Sequence, residues 1–228
     1  MFKHIFFIPG LILAFLITFV VLNYKSAEPQ LIMIWFRMAS LGILAFFSVF
    51  TPVFLGVEYR DGGMRNKVIA GHKQSEVYIA DLIAILIGTV IMSLCWFAAG
   101  LTALIKAGFG IGSFDLVNAV TLVFIALSYS AIITCISLRC RKMLISVAIG
   151  FVLFVFGYFA GVTAFSINML AGSGATAVIE NLIPTGQWFG TINVDETLPA
   201  IVRILISSGW AVLITAIGTL SINKRELK

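Results

Sequence analysis

Six stretches of this chain are apolar for about as long as a helix needs to cross the hydrocarbon of a bilayer, roughly 20 residues. They cover residues 5–23, 32–55, 82–105, 116–138, 144–165 and 200–222. An open sheet cannot satisfy its backbone in lipid, and these runs are continuous rather than alternating as barrel strands are, so each reads as a helix. Water is excluded as the solvent for such surfaces: 61% of the 228 residues are hydrophobic and 11% are charged, against roughly 25% charged in a soluble domain. The expected fold is an all-α integral membrane protein, one six-transmembrane-helix bundle over residues 1–228 with no separate soluble domain. The first run resembles a secretory signal but is longer than a signal core and lacks a clear small-residue cleavage site, so it reads as a retained span.

The net charge of +5 raises the question of a nucleic-acid partner, and the placement of the charge answers it. Basic residues gather in short connections: Lys3; then Arg60, Arg65, Lys67 and Lys73; then Arg139, Arg141 and Lys142; then Lys224, Arg225 and Lys228. The other side holds Lys25 and Lys106, with Arg37 and Arg203 just inside spans. That bias belongs to cytoplasmic loops and puts both termini in the cytoplasm, a parity that six crossings satisfy; no nucleic acid is expected as a partner.

No chemistry-bearing motif appears. His4 and His72 lack partners at zinc spacing, and Cys95, Cys135 and Cys140 lack metal-ligand spacing and read as small core residues. There is no nucleophile elbow, zincin pair or phosphate-cradling glycine loop, so no catalytic residue, metal or cofactor is expected in this chain. The many phenylalanines, Phe151, Phe154, Phe156 and Phe159 among them, read mainly as lipid-facing or interhelical packing, with an apolar path for cargo as the sharper alternative.

The densest polar segment is 58–78, between the second and third spans. Gly62 and Gly63 permit a sharp turn, and Gly71 supplies a helix stop. Between them the spacing predicts a short helix with Met64, Val68 and Ile69 on one face and Arg65, Asn66 and Lys67 toward the other. Such a ridge could dock into a cleft on a cytoplasmic partner or rest on lipid headgroups. Arg37 and Arg203 admit two readings as well: snorkelling to the outer headgroups, or facing a translocation pathway. The connection at 168–199 is rich in Gly, Ala and Ile and could form short helices on the outer face.

At this point the chain resembles a family. Glu58 closing the second span, Gly62 or Gly63, Arg65-Asn66-Lys67, then Gly71 and Lys73, are similar to the loop of ABC-2 type transporter permeases. The ending Asn223-Lys224-Arg225-Glu226-Leu227-Lys228 and the segment Ile183-Pro184-Thr185-Gly186-Gln187 resemble the same family. The resemblance implies a permease subunit in a bacterial cytoplasmic membrane that pairs with a second permease copy and sits on two separate ATPase subunits, which bind the ATP and Mg. It also implies that Glu58, Arg65, Asn66, Lys67, Val68, Ile69, Gly71 and Lys73 form the ATPase-coupling loop. Bacterial systems of this size resemble exporters or immunity permeases for membrane-active peptides, so amphipathic or apolar peptide cargo is expected. One departure stands out: such permeases often begin with an amphipathic helix, and only Met1-Phe2-Lys3-His4 precedes the apolar run unless residues 2–8 lie along the interface. The competing class is a secondary transporter or channel working without ATP, for which the expected paired mid-membrane charges and broken, symmetric helices are not evident.

Overall fold

The computed structural model describes residues 7–24, 29–108, 115–140, 142–171, 175–191 and 198–223, and all of its regular structure is helical. Five helices, α1 (Phe7–Tyr24), α2 (Pro29–Arg60), α4 (Gln74–Lys106), α5 (Leu116–Arg139) and α6 (Met143–Ala171), are joined by a sixth long one, α9 (Ala200–Asn223). Three short helices complete the described chain: α3 (Gly63–Ile69), α7 (Ala175–Leu182) and α8 (Pro184–Gly190). Apolar stretches of α2, α4, α5, α6 and α9 are long enough to cross a membrane, while the apolar part of α1, Phe7–Val20, is shorter. The protein is therefore a multi-pass helical membrane protein.

Hydropathy locates the lipid-solvated part of a helix, and the hydrogen-bond ladder runs beyond it. Thus the run at 32–55 becomes Pro29–Arg60, the run at 82–105 begins eight residues earlier at Gln74, and the run at 144–165 continues to Ala171. At 1.5 Å per residue, α2 and α4 are each about 50 Å long against a hydrocarbon core of about 30 Å. They project beyond the apolar layer as two stalks with α3 between their tips. Helix α1 begins at Phe7 and carries Pro9 and Gly10 in its opening turns, where a missing N–H costs little; of the interfacial segment considered at 2–8, all but Phe7 and Ile8 lies outside the described residues, as does the basic ending 224–228.

Helix α5 is the centre of the bundle, packed on α2, α4 and α9, and it is the most buried of the long helices. Lipid tails are as apolar as leucine, so burial alone does not hold such helices together; close approach and interhelical hydrogen bonds do. Ser48 and Tyr129 join hydroxyls at 2.8 Å between α2 and α5, and Thr89 donates to Ser130 at 2.9 Å between α4 and α5. Phe36 stacks on Trp96 with centroids 3.8 Å apart, and Trp96 Nε1 donates to the Phe36 carbonyl. Phe151, Phe156 and Phe159 point outward from α6 into the lipid zone, while Phe154 and Tyr158 pack on the core.

The α2–α6 crossing depends on two residues that helix propensity disfavours. Pro52 lies inside α2 and has no N–H to offer the Ser48 carbonyl four residues back. Gly150 of α6 fills that place: a Cβ there would lie 2.3 Å from the Ser48 oxygen and 3.3 Å from Pro52 Cγ. Gly150→Val must push the two backbones apart, at a cost of about 1–3 kcal/mol or more as overpacking does elsewhere. The expected result is a lower thermal midpoint in detergent, with Val152→Ala on the lipid face of the same helix near wild type; equal midpoints for both would remove this crossing from the account.

Candidate functional site

Charged side chains collect at the two ends of the bundle. At one end, α3 is built as its sequence predicts. Gly62 takes φ 73° before it and Gly71 takes φ 97° after it, both in the left-handed region. Gly71 N–H donates to the Val68 carbonyl and His72 N–H to the Lys67 carbonyl, which together close the helix in a Schellman arrangement. Lys73 then opens α4, its N–H donating to Glu76 Oε2 at 3.2 Å, with His72 Nδ1 3.7 Å from the same carboxylate oxygen.

The faces of α3 differ from the expectation. Met64 packs against the core, Val68 and Lys67 are half-buried, and Ile69 is 72% exposed beside exposed Arg65 and Asn66. The reason is the 100° step of the helix: Lys67, three residues after Met64, returns to its face, whereas Ile69, five residues on, is turned well away. Lys67 therefore folds inward. Its amine bonds to Glu58 at the end of α2 and lies 3.3 Å from Asp81 Oδ1 on α4, so one cation ties α3 to both stalks. Burial lowers the Lys67 pKa, but the Glu58 and Asp81 carboxylates outweigh it and hold the amine above its ordinary value. A raised lysine pKa means that the Lys67 charge is fully present below the ordinary value and is lost only as pH rises through the raised one, so the lysine's side of the clamp does not weaken on the alkaline side of neutrality. Beside α3 an open recess of about 360 Å³ is bounded by Lys67, His72, Glu76, Val77 and Ala80.

At the opposite end, α7 and α8 form a hairpin, and every residue of α8 is buried between α5, α6 and its neighbours. The connection expected on the outer face thus turns inward. Pro184 starts α8, Gly157 and Gly161 of α6 leave room for Thr185 and Phe189, and Trp188 Nε1 donates to Ser40 Oγ at 2.7 Å. Gln187 accepts from Ser207 Oγ and donates to the Asn181 carbonyl, both at 2.6 Å, so its amide is held at both atoms. Trp210 Nε1 donates to the Leu182 carbonyl at 2.7 Å.

Arg37 and Arg203, widely separated in the sequence, converge on the last turn of this hairpin. Arg37 donates to the carbonyl of Thr191, the residue that ends α8, and pairs with Asp115. Arg203 is fully buried, as is Glu180 of α7. The nearest Glu180 oxygen and Arg203 Nη2 lie 2.8 and 3.3 Å from the point where a Cβ of Gly190 would stand, so the glycine makes room for two opposite charges. A helix end presents unsatisfied carbonyls that favour cations, and Arg37 meets that demand at Thr191 while the Arg203 guanidinium stands beside Gly190 one residue earlier.

Asp115 caps α5, accepting from Asn118 N at 3.1 Å and Asn118 Nδ2 at 2.7 Å. Burial pushes its pKa up, but the Asn118 bonds and Arg37 outweigh that and hold it below the ordinary 3.8. A depressed carboxylate stabilises above its unfolded pKa and is lost as pH falls through the folded one. The expected result is a clasp unaffected between about pH 5 and 8 and weakened only below about pH 4. Arg37→Ala should lower the thermal midpoint at pH 7 and reduce this acid-limb dependence without abolishing it, because the Asn118 bonds to Asp115 remain, with Arg37→Lys between them because charge remains without the planar fork. An unchanged acid limb in Arg37→Ala would contradict the pairing.

The structure thus brings Glu58, Lys67 and the unforeseen partner Asp81 together, and Arg37 and Arg203 together with Asp115 and Glu180. Arg65, Asn66, Ile69, Gly71 and Lys73 lie along one exposed edge. Among the described residues no three His, Cys, Asp or Glu side chains group as a metal site. An Asp immediately before an apolar run is a helix-start signal that makes Asp115 legible; Glu180 has no comparable signal. The class defined by this fold is a multi-pass α-helical membrane protein with a charged clamp at one end and a buried hairpin at the other. No family model matches the chain, nor does any curated protein or solved structure.

Proposed function

We propose that this chain is the permease subunit of an ATP-binding cassette exporter of the ABC-2 type, working as paired permease copies on separate ATPase subunits that bind ATP and Mg. In this reading α1, about 27 Å long, is the sixth crossing, both termini face the cytoplasm of a bacterial cell, and the cargo is an amphipathic or apolar peptide. The observation that carries the proposal is α3. A seven-residue helix held between two stalks by Lys67, with Arg65, Asn66 and Ile69 outward, is tied to both α2 and α4, the connection that passing a push from a docked partner to both would need. Few charges lie free along the spans to hold a strongly polar solute, which favours apolar cargo.

Arg37 and Arg203 take part in this reading as the closure of the outer end, since export of cargo requires the hairpin they hold to yield. The test has two arms. Arg65→Cys in a Cys140→Ser background should be labelled by a membrane-impermeant maleimide only after the cells are opened, and the tagged chain should co-purify an ATP-hydrolysing subunit. Labelling from outside intact cells would reverse the topology; a chain that transports in vesicles with no ATPase bound would favour the ATP-independent alternative.

A further inference from the structure

A cavity of about 100 Å³ lies between α1, α2 and α4, bordered by Gly10, Ala14 and Thr18 on one side, Gly42 on another, and Met92 and Trp96 at its floor. Its walls are almost wholly apolar, and Leu13 and Ile17 at its margin are 60% and 51% exposed, so it opens sideways toward lipid rather than toward either end. Gly42 is itself exposed, and a Cβ there would meet nothing within 4 Å. From Thr18 to Gly10 the groove follows α1 for about 12 Å, close to the depth of one leaflet's hydrocarbon, about 15 Å. Such a slot has most of the length of one leaflet's acyl chain.

A cation stands above it. The amine of Lys106, the last residue of α4, lies 5.6 Å from the ring centroid of Phe19, the residue next to Thr18. Lys106 is exposed and forms no ion pair among the described residues, unlike Arg37 at the same end of the bundle. We propose that this groove binds one anionic phospholipid, its headgroup on Lys106 and one acyl chain along α1 down to Trp96. The ligand is a membrane lipid of the leaflet at the Lys106 end; the binding is independent of any ATPase partner. An anionic headgroup is favoured because a zwitterionic one sets its own cation beside the phosphate and offsets the attraction, whereas a net negative headgroup gives Lys106 an unopposed counter-charge.

The test uses lipids with brominated acyl chains, which quench tryptophan on contact. Purified protein would be reconstituted in phosphatidylcholine with increasing brominated phosphatidylglycerol or, in parallel, brominated phosphatidylcholine, with Trp96→Phe identifying the Trp96 share of the signal. Wild type should reach half-quenching at about fivefold less brominated phosphatidylglycerol than phosphatidylcholine, the weight expected for one lysine near the surface. Lys106→Gln should equalise the two lipids, and Gly42→Leu, which fills the groove without a backbone clash, should weaken quenching by both. Equal quenching by the two lipids in wild type, or a preference that survives Lys106→Gln, would overturn the headgroup contact. Undiminished quenching in Gly42→Leu would overturn the acyl seat.

Discussion

Arg203→Ala should cost the folded protein about 3–5 kcal/mol, the range seen when one member of a buried charge pair is removed and the other is stranded. Arg203 and Glu180 are both buried, and both reach the space left by Gly190. Neither charge has water to fall back on, so the loss is dominated by the desolvated carboxylate that remains rather than by the attraction removed. The consequence is non-additive. Glu180→Gln alone and Arg203→Ala alone should each lower the thermal midpoint steeply, while Arg203→Met combined with Glu180→Gln should recover much of the loss, because a neutral pair of similar volume can be nearly neutral in energy. A four-way thermal-shift comparison in detergent decides it: losses that simply add would mean the two residues act separately and would detach Arg203 from the hairpin.

The second large effect concerns the opposite end. Ile69 is 72% exposed on a helix whose other apolar residues are turned inward, so it is the side chain best placed to enter a partner's cleft. Small interfaces concentrate their energy in a few such anchors. A carboxylate placed there would be buried unpaired on docking, at a cost of about 2–5 kcal/mol, enough to lower occupancy tens-fold or more. Val68→Asp is a less clean probe because Val68 is half-buried and its replacement also strains α3. Arg65→Ala, on the exposed edge, should have a mild effect of the size typical for a solvated rim charge.

How much of this was legible in the sequence follows from the range of the interactions involved. The long helices were, since their apolar runs report contact with lipid, a property each residue expresses locally. So was α3, whose turns at Gly62 and Gly71 need only local backbone freedom. The inward fold of Lys67 was partly legible: counting 100° steps from Met64 places it on the inner face, but its partners Glu58 and Asp81 lie nine and fourteen residues away and are joined by the packing of two stalks. The hairpin was the hardest to read. Thr185, Gly186 and Gln187 have the composition of an exposed loop, and their burial depends on Gly157 and Gly161 of α6 and on Ser207 of α9, contacts that no short window of sequence contains. The convergence of Arg37 and Arg203 has the same origin, since Thr191 and Gly190 reach them only once α8 has turned into the bundle.

The proposed transmission of work from a separate ATPase through α3 to the spans is measured by co-purification and cargo-stimulated ATP hydrolysis in Ile69→Asp beside wild type and Arg65→Ala, each reconstituted with the ATPase that wild type captures. Ile69→Asp should insert and fold normally yet lose both signals, while Arg65→Ala should retain most of them. Full retention of both in Ile69→Asp would contradict it and would leave α3 as a helix resting on lipid.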